Sequence, residues 1–253
     1  MDFTLKKYKE LLLTLQKAEF EFLTFEQYCI EKQHAEKKQV ILRHDVDLLP
    51  KNSLQFAQIE HDLGIKSTYY FRIVSSSNNP KIIKQIAALG HEIGYHYEDL
   101  TICKGNRQKA LCCFKTNLNY FRQFYPIKTI CMHGSPRSKW DNKAIWEDFD
   151  YKQFRIIGEP YFDTDFNTIF YLTDTGRCWD GDKFSIRDKV KSPFLEKFHT
   201  TSELISAIKN NAIPSKILIT THPQRWSNNL IEWCIEYCSQ NLKNLIKRLL
   251  IKQ

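Results

Sequence analysis

Two hydrophobic spacings alternate along the chain. Short apolar or β-branched runs, QVILRHDVD, STYYFRIV, HEIGYH, KTICMH, TIFYLTDTG and KILITTH, read as strands, most running out into polar or charged residues. Between them, apolar residues recur every three or four positions, the spacing of one helix face. The first 20 residues form such a helix, with Leu5, Tyr8, Leu11, Leu12 and Leu15 on its apolar side. A short helix is expected over TFEQYCIEKQ, capped by Thr24, and another over NSLQFAQIEHDLG, started near Asn52 or Ser53 and stopped by Gly64. Pro80 opens a helix that Gly90 closes. Further helices are expected near 106 to 124, over NKAIWEDF, over TSELISAIKNN with Thr201 or Ser202 as cap, and from about Leu230 to Lys252. FRIIG reads as one more strand.

Strands alternating with helices predict a parallel α/β sheet with crossovers. Asp45, Asp47, His96, His133, Asp174 and His222 all fall where strands end. In a parallel barrel those ends converge on one site. No repeat or linker interrupts the 253 residues, which predicts one barrel domain: N-terminal helices over 1–36, a core over 38–226 and a C-terminal helix over 228–253.

Composition changes this picture little. With 42% hydrophobic and 26% charged residues, the chain is of ordinary globular type. The net charge of +8 raises the question of acidic partners, but the basic residues are scattered, apart from Lys243, Lys247, Arg248 and Lys252. That distribution argues against nucleic acid and suits a groove for an anionic, phosphate-bearing substrate. The eight cysteines show no CxxC pair, so neither a disulfide framework nor a zinc finger is expected. No apolar run reaches the roughly 20 residues of a membrane span. The amphipathic start lacks the apolar core of a signal peptide, and a reducing cytoplasm is the expected location.

Asp45 and Asp47 project to one side if the strand stays extended, and His44 to the other. Two adjacent carboxylates repel unless a cation or a shared proton intervenes. One reading makes one a metal ligand and the other a base; the other pairs Asp45 with Arg43 or another arginine and makes Asp47 a helix cap. Each lone histidine reads as a packed or surface residue, but three of them beside Asp-x-Asp at strand ends point to a metal-assisted site. YLTDTGRCWDG concentrates Asp174, Arg177 and Trp179, either a sugar platform with Trp179 stacking on a ring face or a polar turn around a packed indole. Trp140 and Asp141 in SKWDN carry the same two readings. Glu159 and Asp163 are expected to be structural, Cys131 to be core, and Cys112 and Cys113 to be packing residues.

ILRHDVD, the helix ending LGIKSTYYFRI, GHEIGYH and the late LITTHP resemble, in that order, the motifs of the polysaccharide deacetylase family over residues 38 to 226. The resemblance implies a distorted (β/α)7 TIM-like barrel and a metal-dependent carbohydrate esterase. It implies Asp45 as general base, Asp47 and His96 as metal ligands, and His222 as general acid. The family's second histidine is missing, because HYEDL puts Leu100 four residues after His96. His133 is the first candidate to replace it, with Glu98 and Asp99 behind it. Arg137 in GSPRSKWDN is the candidate to orient the base or touch substrate.

The function expected from these motifs is removal of an N-acetyl group from a sugar or glycan precursor, with one divalent ion, zinc before cobalt or manganese. A cyclic-amide hydrolase and a metal-free glycan-binding pseudoenzyme are the alternatives.

Overall fold

The computed structural model describes residues 1–31, 37–135, 138–181 and 190–251, the last six by backbone only. Seven parallel strands form one sheet: β1 (Glu21–Leu23), β2 (Gln39–Val46), β3 (Thr68–Phe71), β4 (Glu92–Tyr97), β5 (Ile130–Met132), β6 (Phe170–Thr173) and β7 (Lys216–Thr221). Their order is β5-β4-β3-β2-β7-β6. The first half of β2 also pairs with β1, and its second half pairs with β3. Nine α-helices accompany the described strands: α1 (Leu5–Lys17), α2 (Phe25–Glu31), α3 (Pro50–Asp62), α4 (Pro80–Ala88), α5 (Asp99–Ile102), α6 (Arg107–Phe121), α7 (Pro160–Asp163), α8 (Thr201–Lys209) and α9 (Leu230–Ile251). None of the described helices is long and apolar enough to cross a membrane.

The sheet curls into a half-barrel, and strand alternation sorts its two faces. Val40, Leu42 and Val46 on β2, with Ile93, Tyr95 and Tyr97 on β4, pack outward into a core that runs from Phe3 to Trp226. The inward set begins with an apolar floor of Leu23, Phe25, Ile41, Ile169 and Leu218. Above it, Arg43 and Asp45 follow one another up β2, and Asp47 stands just past its end. Gly94 is required inside, because a Cβ there would lie 2.3 Å from the Tyr70 ring.

Local chemistry sets most boundaries as expected, with informative differences. Thr24 and Gln27 cap each other at the start of α2. α3 begins earlier than expected, at Pro50, after Leu49 turns the chain at φ 50°. α8 is capped by Thr200, in a reciprocal box with Glu203, rather than by Thr201 or Ser202. FRIIG is not a strand: Arg155 is left-handed at φ 59°, and only a single bridge joins Gly158 to Thr129. The seventh strand is instead β1, whose three residues leave too little pattern to read.

His44 points outward, into a buried polar knot. Its Nδ1 lies 2.7 Å from Thr221 Oγ1, and its Nε2 lies 2.8 Å from Glu60 Oε1. Glu60 also accepts bonds from Tyr8, Ser67 and Tyr69. Burial raises the Glu60 carboxyl, but His44, His91 and the bond from Ser67 bring it down to about 2. The knot ties α1, α3, β2 and β3 together behind the site.

Candidate metal centre and active site

Three donors from three strand ends face one another. Asp47 Oδ1 lies 3.6 Å from His96 Nε2 and 3.5 Å from His133 Nε2. The three atoms lie within 4.8 Å of one another, close enough to hold one ion. Asp47 Oδ1 is buried and has no hydrogen-bond partner among the described residues. Burial raises the Asp47 carboxyl, and the imidazoles of His133, His222 and His96 with Arg72 more than reverse it, holding it well below its ordinary value.

Both imidazoles are oriented through their other nitrogen. His96 Nδ1 lies 2.9 Å from the Cys131 carbonyl, and His133 Nδ1 lies 3.1 Å from Glu98 Oε2 and 2.9 Å from Ser135 Oγ. A bond at Nδ1 of this kind fixes the ring and leaves Nε2 for a ligand. Glu98 is itself gripped by Arg72, at 2.9 and 2.8 Å. Burial raises its carboxyl, but His133 and Arg72 bring it to about 2. One carboxylate oxygen and two imidazole nitrogens are the donor set a catalytic zinc-type ion would take.

This geometry separates the candidates for the third ligand. His133 is in the cluster. Glu98 stands behind it as a support. Asp99 is turned away, buried between the Tyr95 hydroxyl and Asn117, both at 2.8 Å. Leu100 packs into the outer core, because α5 begins at Asp99 and rotates it off the strand.

Beside the cluster, Asp45 Oδ2 lies 4.0 Å from His96 Nε2. Its Oδ1 accepts a bond from Arg43 Nη1 at 2.9 Å. Arg43 is fully buried, with its guanidinium over the rings of Tyr70 and Tyr161 and bonded to Tyr161 Oη at 3.3 Å. Arg137, the other arginine considered for this role, lies outside the described residues.

His222 enters from the end of β7, with Nε2 3.9 Å from Asp47 Oδ2. Its Nδ1 lies 2.6 Å from Asp174 Oδ1. Asp174 also accepts from Arg225 at 2.7 Å and from Trp226 Nε1 at 2.8 Å. Burial raises the Asp174 carboxyl, but Arg225 and His222 bring it to about 2. Burial and Arg225 lower the His222 imidazole, while Asp174 and Asp47 raise it more, leaving it above its ordinary value.

The expected sugar contacts take other places. Asp174 is a buried partner of His222, not a substrate group. Trp179 is buried, donating from Nε1 to Thr201 Oγ1 at 3.0 Å, so it is a core indole and not a platform. Arg177 lies over the rings of Phe3, Trp233 and Tyr237 and donates to the Arg225 carbonyl, so it clamps α9 to the body. Trp140 packs on Gly105 and is only part-buried. Glu159 caps α7 and accepts from Met132 N at 2.9 Å, tying that segment to the edge of β5. Arg72, Arg225 and Tyr161 were missed in the sequence; Arg225, three residues after His222, is the one whose position could have marked it.

Asp45, His96 and Cys131 form a second possible cluster, but Arg43 Nη1 already bonds both Asp45 and Cys131 Sγ. Cys178, Asp180 and His199 group together elsewhere.

No protein-family model and no curated protein matches the chain. Among solved structures, it is similar to wild-type BA3943, a CE4 family pseudoenzyme from Bacillus anthracis, with 12% identity and a TM-score of 0.41. It is also similar to a BA3943 mutant with restored enzymatic activity, again at 12% identity and TM-score 0.41. These matches cover 85% of this chain and 63% and 65% of the neighbours, so the chain spans less than two thirds of their length. The chain has an α/β fold of seven parallel strands curled into a half-barrel.

Proposed function

We propose that this chain is a divergent metal-dependent hydrolase of the polysaccharide deacetylase type that removes an N-acetyl group from a sugar or glycan precursor. The observation that carries the reading is the convergence of Asp47 Oδ1, His96 Nε2 and His133 Nε2 around a buried carboxylate oxygen without a hydrogen-bond partner among the described residues. Asp47, His96 and His133 would hold the ion, and zinc, cobalt or manganese suits that donor set better than calcium or magnesium. Such an ion would polarise an amide carbonyl, and zinc would lower the pKa of a bound water to about 7.

The protein groups around it divide the proton transfers. Asp45, with Oδ1 held by Arg43, takes the proton of the attacking water. His222, with Nδ1 engaged by Asp174, presents Nε2 to protonate the departing amine. His133 does the work of a histidine at position 100. A phosphate-bearing sugar suits the net charge of +8.

Elemental mass spectrometry of the purified chain, with acetate release from N-acetylated sugars, tests this reading. The expected result is about one transition metal per chain, lost in Asp47→Asn, His96→Ala and His133→Ala. Amide ring opening without acetate release would move the assignment to a cyclic-amide hydrolase. A chain that zinc, cobalt and manganese cannot load overturns the hydrolase reading in favour of a metal-free glycan binder.

A further inference from the structure

The last helix is built inside out. Against the body, α9 lays Gln240 and Asn244, both buried. Gln240 Nε2 donates to Asn244 Oδ1 at 2.7 Å, and Asn244 Nδ2 donates to the Gly176 carbonyl at 2.9 Å. Trp233 and Tyr237 stack on the same side, with the Arg177 guanidinium over both rings. On the opposite side Ile231, Ile235, Leu242 and Leu245 are 72%, 65%, 60% and 55% exposed. Cys238 is exposed among them. A helix with nothing more to cover shows the reverse arrangement, apolar toward the body and polar outward.

The exposed positions are also regularly spaced. Positions 231, 235, 238, 242 and 245 step by four, three, four and three, and Leu249 continues the series in the sequence. That alternation averages 3.5 residues, the period with which one helix meets another along a seam. From 231 to 245 the exposed seam runs about 21 Å.

We propose that this seam pairs antiparallel with α9 of a second copy of the chain, forming a two-fold symmetric homodimer. Reversing the helix about its own middle matches every seam position: 231 meets 249, 235 meets 245, and 238 meets 242. This self-complementarity is what a two-fold interface requires. Charge sets the direction. Glu232 and Glu236 lie in the first half of the helix, and Lys243, Lys247 and Arg248 lie in its second half. An antiparallel pair sets acidic half against basic half, whereas a parallel pair would bring like charges together.

Sedimentation equilibrium of the full chain at micromolar concentration tests the pairing. The expected mass is twice the 30.1 kDa of one chain. The double variant Ile235→Gln, Leu242→Gln is expected to sediment as one chain with unchanged circular dichroism and thermal midpoint, since both side chains are exposed and Gln favours helix. Mild oxidation of Leu242→Cys is expected to cross-link to the partner's Cys238. A wild-type monomer overturns the proposal, as does a double variant that stays dimeric. Wild-type cross-linking through Cys238 with no gain in Leu242→Cys overturns the antiparallel direction. A wild-type chain that is monomeric in solution and floats with phosphatidylserine vesicles assigns the seam to a membrane surface and overturns the homodimer.

Discussion

His222 Nδ1 sits 2.6 Å from Asp174 Oδ1, across 48 residues of sequence, and this contact aims the other imidazole nitrogen at the cluster of Asp47, His96 and His133. Asp174 is fully buried, yet Arg225, Trp226 Nε1 and the His222 amide all donate to it. The carboxylate therefore stays ionised at the edge of the site, fixes the imidazole ring and favours its protonated form.

Asp174→Asn keeps the shape of that arrangement and removes its charge. The expected outcome is a fall in kcat of about a hundredfold or more, the scale of a lost general acid. Metal content should be unchanged, since no cluster ligand is touched. The sign of the pH effect follows from the contact: without Asp174, His222 gives up its proton at lower pH, so the alkaline limb of the activity profile moves down. An alkaline limb that stays in place would mean that Asp174 does not set the state of His222.

Arg43 is buried beneath Asp45 and keeps that carboxylate compensated. Arg43→Leu leaves a buried carboxylate without its partner, a change that costs about 3–5 kcal/mol. For a chain of this size that is about 10 °C in thermal midpoint. Arg43→Lys keeps the charge and should recover part of the loss. A midpoint for Arg43→Leu within a degree or two of wild type would show that another group compensates Asp45.

Asp99 supplies a stability term with a defined pH window. Burial raises its carboxyl from 3.8 to about 6, against hydrogen bonds from Tyr95 and Asn117 that lower it. A raised carboxyl in the folded state contributes stability that is fully present below 3.8 and is lost as pH rises through about 6. Asp99→Asn has no such proton to lose. Between those limits, the stability difference between the two proteins should move toward the variant by up to about 3 kcal/mol. Denaturant titrations at several pH values measure it; a difference independent of pH would place Asp99 at its ordinary value.

The strand-end residues were legible because each stands directly after an apolar run. Asp45 and Asp47 sharing a face, with His44 opposed, follows from the two-residue period of a strand, and the structure has that arrangement. What spacing does not carry is the distance between segments far apart in sequence. The choice of His133 over Glu98 and Asp99 for the cluster depends on α5 starting at Asp99, which turns Asp99 and Leu100 into the outer layer. Trp179 and Arg177 look like a sugar platform in the sequence because polar turns and binding loops share a composition; burial against Thr201 in one case and against α9 in the other makes them structural.

Apolar period and polar punctuation were enough to specify the alternation of strands and helices, the parallel sheet and the set of polar residues at its carboxyl edge, since each depends on neighbours a few residues away. Tertiary contacts alone decided that Asp174 with Arg225 governs His222 and that Arg72 holds Glu98 behind His133, whereas Arg43 and Asp45, two residues apart on one strand, were already a possible pair in the sequence. The tertiary pairings join groups 26 to 51 residues apart. They form because a curled sheet buries charges that must then find partners, and which partner is in reach depends on how the strands are ordered.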